Sequence, residues 1–405
     1  MTISIPHTNN KSDVRGVQGT GTRCPACDST GMTIFYEQDE VPIHSCLMLD
    51  SRDEAIALPT RSLKLGFCRR CGFVSNVTFD PTVMHYDDRY EDQQSFSPAF
   101  RQYQTDLVKR LIHRYGLRQK DIIEIGCGKG DFLREICLAG NNRGIGIDPR
   151  SQGGVEGHVR FLREYLNPSH ATLPCDFLCC RHTLEHIHQV GPFIRLVRAI
   201  VQDRTNVVVF FELPDAGRIF RERAFWDIYY EHCSYWTSGS LEHVFRSNGF
   251  DIVALETAFD GQHLLMTARP TNSYSSPSES PTYTLDQVSQ DVFTFACEAK
   301  EATRTWQSRI RRWQAQGRRI AIWGGGSKCV AFISGVTAAY GIDAIVDINP
   351  GQQGKFLPVI GMQITAPNGL SHVKPDVVII MNPVYRSEIE QQLCDMGIAA
   401  DIYTA

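Results

Sequence analysis

The segment Glu124-Ile125-Gly126-Cys127-Gly128-Lys129-Gly130 constrains this chain more than any other part of it. It follows a short apolar run, Asp121–Ile125, and opens a helical pattern, Asp131–Ala139. Glycines at such a turn let the backbone bend sharply and approach a ligand that a Cβ would exclude. The alternation continues: Gly144–Ile147 and Phe177–Cys180 read as strands, Pro192–Val201 as a helix, and Val207–Phe211 as a fully apolar strand. Strands alternating with helices imply parallel pairing with helices on both faces, an α/β doubly wound sheet. Ligands of such sheets sit beyond the carboxyl ends of the strands, where this turn lies.

Asp148 ends the next strand, 22 residues after Gly126 (148 − 126), placed to accept the hydroxyls of a ribose. A Gly-x-Gly-x-Gly turn serves several nucleotide cofactors. Two features favour S-adenosylmethionine over a dinucleotide: Glu124 can orient a ligand carrying an ammonium and a sulfonium, and the third dinucleotide glycine is missing. The candidate cofactor residues are therefore Glu124, Gly126, Gly128, Gly130 and Asp148, with His182 added from the tract Arg181–Ile187 after the third strand. A ligand-free turn is the alternative for the loop, and a structural role the alternative for the tract's histidines.

Fourteen cysteines need an explanation in a chain of 405 residues. The N-terminus lacks the apolar run of a signal peptide, and no stretch approaches the roughly 18 apolar residues that span a bilayer. Thiols and metal ligands in a reducing cytoplasm follow, with no membrane partner. Cys24-x-x-Cys27 and Cys68-x-x-Cys71 form two knuckles 40 residues apart, the pattern of a closed, structural four-thiolate Zn2+ site. Redox pairs or unconnected cysteines are the alternatives. The net charge of −4 argues against a nucleic-acid partner, and the arginines between Arg304 and Arg319 read as a solvated helix face.

These features divide the chain into a leader and metal module (1–85), a cofactor-binding domain (86–270), a linker with a long helix (271–316) and a C-terminal Rossmann-like domain (317–405). Residues 1–20 read as a flexible leader, residues 21–80 as loop-rich, and Pro98–Tyr115 as a helix. A second glycine turn, Gly324-Gly325-Gly326, has Asp347 23 residues on (347 − 324). It suggests acceptor docking or structure rather than a dinucleotide, because the third glycine is again absent.

The stretch Phe225–Trp236 holds the candidate chemistry: His232 is suited to proton transfer near neutral pH, with Glu231 or a tyrosine to tune it. An aromatic helix with a satisfied histidine is the alternative. Methylation at carbon needs a base for the C–H proton and donors for an enolate oxygen, whereas oxygen or nitrogen acceptors lose at most one proton.

The paired knuckles, Glu124–Gly130, Tyr229-Tyr230-Glu231-His232, Trp323–Lys328, Asp347–Pro350 and Gln353–Pro358 occur in an order that resembles the zinc-binding sugar C-methyltransferase family. That family consists of S-adenosylmethionine-dependent enzymes of three domains, acting on nucleotide-linked deoxy-keto-sugars. The resemblance implies His232 as general base, Tyr229 and Glu231 as its partners, zinc on the four cysteines, and a C-terminal domain holding the nucleotide end of the acceptor. Glu212, Tyr235, Lys328 and Lys355 are acceptor-side candidates. Cys329, the Ile380–Tyr385 segment and Gly261-Gln262-His263 depart from the family's pattern. The expected enzyme is a methyltransferase making a C-methylated small metabolite as a monomer or homodimer; O- or N-methylation is the alternative.

Overall fold

The computed structural model describes residues 21–84, 89–272 and 283–405. The expected leader and most of the Ser/Pro/Thr-rich segment lie outside them. Three sheets organise the described residues. The largest has eight strands, in spatial order Phe250–Ala258, His263–Pro270, Val208–Pro214, Phe177–Arg181, Asp121–Ile125, Arg143–Ile147, Val159–Leu162 and Gly154–Glu156. The strands from Val208–Pro214 to Val159–Leu162 are parallel, while the first two form a reversed hairpin at one edge. This is a doubly wound, Rossmann-like sheet.

Local signals set its helices. Pro98–Tyr115 starts where the Ser97 side chain accepts from the Phe100 amide and stops where Gly116 turns left-handed, as capping preferences dictate. Asp131–Gly140 begins directly after Gly130. The helix expected from Pro192 begins two residues earlier, at Val190.

The C-terminal sheet has five parallel strands, in order Ile364–Thr365, Ala344–Val346, Ile320–Trp323, Val377–Ile380 and Asp401–Thr404. The long helix Leu285–Ala315 buries Val288, Val292, Phe295 and Ala299 near one end and Trp306, Ile310 and Trp313 near the other, steps that keep one face inward. Phe295 packs on Phe35 and Phe220, whereas Trp306 meets Phe332 and Trp313 meets Tyr403. The arginines at 304, 311 and 312 face outward.

Most of residues 21–80 is loop, as expected, but an unforeseen sheet runs through it. Thr33–Pro42, Thr60–Phe67 and Val74–Asn76 form an antiparallel sheet, and its fourth strand, Ser234–Tyr235, comes from the reactive stretch. The aromatic-helix reading of that stretch is replaced: a single 3₁₀ turn, Phe225–Asp227, leads through a bend to the strand Ser234–Tyr235. Phe225 stacks on Phe332 of the C-terminal unit at 6.1 Å, and Trp236 meets Phe73 at 4.8 Å. Buried Phe or Trp side chains cost roughly 3–5 kcal/mol each when truncated, so these anchors fix the stretch firmly. No helix of the described residues is long and apolar enough to cross a membrane.

Candidate active site

A cavity of about 1020 Å³ opens at the carboxyl ends of the central strands and extends to the C-terminal glycine turn. The first glycine turn forms one side of it. Gly126 and Gly130 have φ of 69° and 85°, and a Cβ on Gly126 would lie 2.0 Å from Thr183 Oγ1. On Gly130 it would lie 2.4 Å from the Phe161 ring. Gly126→Ala is therefore expected to force the turn apart at about 1–3 kcal/mol, weakening S-adenosylhomocysteine binding roughly 5- to 150-fold. Calorimetry checks this; parental affinity in the variant would refute the role given to the turn.

Asp148 accepts from the Gly128 amide at 2.9 Å and the Arg150 amide at 2.7 Å. A carboxylate offers about four lone-pair directions, so two remain for ribose hydroxyls. Glu124 is buried, and its Oε2 has no hydrogen-bond partner among the described residues. Burial lifts its pKa to about 8 against the pull of Arg181. An orphaned carboxylate oxygen beside a cradle that excludes Cβ atoms fits a cationic nucleoside such as S-adenosylmethionine.

The C-terminal turn repeats this geometry. Asp347 accepts from the Gly325 amide at 2.7 Å and the Asn349 amide at 2.8 Å, as Asp148 does from Gly128 and Arg150. The strap at 89–97 joins the two turns: Lys129 donates to Glu91 at 2.9 Å, and Asn349 donates to the same carboxylate at 3.1 Å.

His232 and Tyr229 both line the cavity, their rings 4.7 Å apart edge to face. Burial, with the neighbouring His186, lowers the His232 pKa to about 4, so the ring is a neutral base across the physiological range. Tyr229 donates to Asp227 at 2.8 Å, and Lys328 pairs with the same oxygen while Arg218 approaches the other at 3.2 Å. Asp227 and Arg218 are cavity residues that the sequence reading missed, and Lys328 lines the cavity beside them.

Other expected residues lie elsewhere. Glu231 turns away from His232; its carboxylate accepts from the Ser45 amide and hydroxyl and from Tyr90 at 2.8 Å. Burial would raise its pKa, but His44, His186 and Ser45 hold it at about 2. Tyr235 is buried off the cavity and bonds the backbone of Tyr229 in both directions at 3.0 Å. Lys355 also lies off the cavity, paired with exposed Asp50.

Glu212 forms the hub behind the wall rather than its surface. Arg181 donates to it at 2.5 Å, Tyr103 at 2.6 Å and His263 Nδ1 at 2.8 Å. Burial opposes its ionisation, but the Arg181 guanidinium and the two histidines carry its pKa well below the usual range. His182 has φ of 44° and stands between Glu212 and Glu185. Burial would lower its pKa, but those two carboxylates raise it to about 9. Although His182, Glu212 and His263 are spaced for a cation, Arg181 already pairs with that carboxylate and the raised pKa of His182 keeps its ring protonated, without a lone pair for a metal.

The four cysteines of the knuckles converge. Cys24 and Cys71 sulfurs lie 3.7 Å apart, as do those of Cys27 and Cys68. A tetrahedron with Zn–S arms of about 2.3 Å has edges of about 3.8 Å, whereas a disulfide would need about 2.05 Å. Both knuckles turn alike: the Asp28 amide donates to Cys24 O and the Gly72 amide to Cys68 O, each with positive φ. The set thus fits a closed four-thiolate zinc site.

With this geometry in hand, comparisons place the chain. Residues 96–255 match the family described as a methyltransferase domain, and residues 283–399 match the C-methyltransferase C-terminal domain. Over 364 residues the chain is 25% identical to the C-methyltransferase NovU of Streptomyces niveus, covering 84% of this chain and 85% of that protein. Among solved structures, it is similar to the 1,6-didemethyltoxoflavin-N1-methyltransferase of Burkholderia thailandensis (18% identity, 46% and 82% of the two chains, TM-score 0.32). It is also similar to the magnesium protoporphyrin IX methyltransferase of Synechocystis PCC 6803 (14%, 45% and 91%, TM-score 0.34). The chain is an S-adenosylmethionine-dependent methyltransferase.

Proposed function

We propose that this enzyme methylates a carbon beside a carbonyl in a small acceptor, a nucleotide-linked keto-deoxysugar or related metabolite, through an enolate. One observation carries the reading: a neutral histidine, His232, faces a single cavity lined by both the cofactor turn and the C-terminal glycine turn. The relative NovU, a C-methyltransferase by name, supports the choice of carbon.

In this reading the bound cofactor supplies an electrophilic methyl group. Glu124, Gly126, Gly128, Gly130 and Asp148 hold it, and His182 lies against the cavity wall nearby. His232 takes the proton from the acceptor carbon. Tyr229 shares the cavity with it, and its hydroxyl is turned to Asp227. Burial and Asp227 raise the Tyr229 pKa well above normal, so it keeps its proton and would donate it to a developing oxyanion on rotating away from Asp227. Lys328 supplies a nearby cation. Glu231 and Tyr235 position rather than react: one pins the stretch to residue 45, the other holds Tyr229's backbone.

The same proposal places structural Zn2+ on Cys24, Cys27, Cys68 and Cys71. It assigns the units 1–85, 86–270, 271–316 and 317–405 to metal binding, methyl transfer, connection and acceptor binding. It has the enzyme work in the cytoplasm as a monomer or homodimer, without nucleic-acid or membrane partners.

Hydrogen exchange tests it. A nucleoside-diphosphate-linked 4-keto-6-deoxyhexose incubated with enzyme and S-adenosylhomocysteine in deuterated water is expected to take up deuterium beside the carbonyl, and His232→Ala to stop the uptake. Methyl transfer to oxygen or nitrogen without any such exchange would overturn the carbon assignment.

A further inference from the structure

S-adenosylmethionine is a nucleoside at one end and an α-amino acid at the other. Asp148 and the glycine turn account for the nucleoside side, and Glu124 for a positive charge. The carboxylate of the amino-acid end is still without a partner. A charge carried into a protein interior needs a counter-charge or several donors.

A buried cation in the wall of this cavity has a donor to spare. Arg181 ends the strand Phe177–Arg181, is 8% exposed and lines the cavity. Its Nε donates to Glu212 at 2.5 Å and its Nη1 to Gln104 at 3.4 Å, whereas Nη2 is buried and has no partner. The guanidinium lies over the Phe132 ring at 4.2 Å, just past the cofactor turn. Gln104 is itself fixed, donating to Glu135 at 2.9 Å. A guanidinium gripped by a carboxylate, an amide and a ring keeps its planar fork in one orientation, the geometry that suits a further carboxylate.

Glu124 stands on the adjacent parallel strand, in register with Cys179, two residues before Arg181. Its Oε2 is the matching orphan. The two charges act on one another through space, yet no hydrogen bond joins the two orphaned atoms. An arginine kept only to neutralise Glu212 has no need of a third edge, and leaving that edge unpaired is costly. An unpartnered donor and an unpartnered acceptor of opposite charge in one cavity are together complementary to a zwitterion. We propose that Arg181 binds the carboxylate of the cofactor's amino-acid end while Glu124 takes its ammonium, so that the cavity accepts the cofactor as a zwitterion. The proposal rests on the first glycine turn holding S-adenosylmethionine. Different nitrogens serve different partners: Nε stays on Glu212, and Nη2 donates to the ligand. Arg181 thus touches the cofactor away from its methyl group and contributes affinity and placement.

The test titrates three ligands calorimetrically into the full-length enzyme: S-adenosylhomocysteine, its decarboxylated analogue, and 5′-methylthioadenosine, which lacks the whole amino-acid end. The parental enzyme is expected to bind the decarboxylated analogue about 10- to 100-fold more weakly than S-adenosylhomocysteine. Arg181→Met, combined with Glu212→Gln so that no buried charge is stranded, is expected to lose that preference by weakening S-adenosylhomocysteine alone. Arg181→Lys keeps a cation against Glu212 without the fork and serves if the double variant does not fold, with most of the preference lost. Glu124→Gln is expected to weaken both amine-bearing ligands and to spare 5′-methylthioadenosine. Equal parental affinity for S-adenosylhomocysteine and its decarboxylated analogue overturns the proposal, as do Arg181 variants that weaken the two alike or keep the preference. A folded parental enzyme that binds none of the three ligands overturns the cofactor reading as well.

Discussion

Replacing His232 by alanine is expected to lower kcat for methyl transfer by about 10²- to 10⁴-fold, the range for losing a positioned general base. S-adenosylhomocysteine binding should be unchanged, because the cofactor turn is built from Gly126, Gly128, Gly130 and Asp148 and touches none of the deleted ring. The pH profile gives a second handle. An isolated histidine would lose base character below its ordinary pKa of about 6.5. Here burial and His186 bring the pKa down to about 4, against the pull of Glu185, Glu231 and Asp227. The base form is the neutral one, so activity persists as pH falls through 6.5 and declines only on approaching 4. An acid limb centred near 6.5 and removed by the mutation would contradict this environment.

Removing the proposed zinc should have the largest effect on stability. Structural zinc in small four-ligand sites contributes on the order of 10 kcal/mol, comparable with the whole stability of a domain. Chelation, or Cys24→Ser, is therefore expected to unfold the Thr33–Asn76 sheet and abolish methyl transfer. Cys24, Cys68, Cys71 and Phe73 pack in one cluster with Trp236, so the loss would reach the stretch that carries His232. Metal analysis together with a melting curve checks it. A protein that releases zinc and keeps both its melting temperature and its activity would sink the prediction.

Legibility in the sequence followed the range of the interactions. The helix Pro98–Tyr115 could be read to the residue because its cap, its proline and its closing glycine are all local. The cofactor turn was readable for the same reason. The N-terminal sheet was not: Thr33–Pro42 is interrupted by irregularities near Tyr36 and Val41 and exposes much of its middle, which blurs the alternation of a strand. Asp227 and Lys328 are 101 residues apart in sequence, and nothing in the neighbourhood of either announces the other. Glu231 looked like a partner for its neighbour His232, but its carboxylate was claimed by residue 45, 186 positions away. Glu212 and His263 are adjacent only because the reversed hairpin sets His263 against Pro214. Their pairing needs the sheet order, which spacing along the chain does not contain.

The fourth strand of the N-terminal sheet, Ser234–Tyr235, is lent by a segment more than 150 residues downstream of Val74–Asn76. The N-terminal piece cut out on its own would end in an unpaired, aggregation-prone rim. Chimeras grafting that piece from another methyltransferase must bring its matching 225–236 segment along, so exchange between relatives is constrained to transfer the two as a unit.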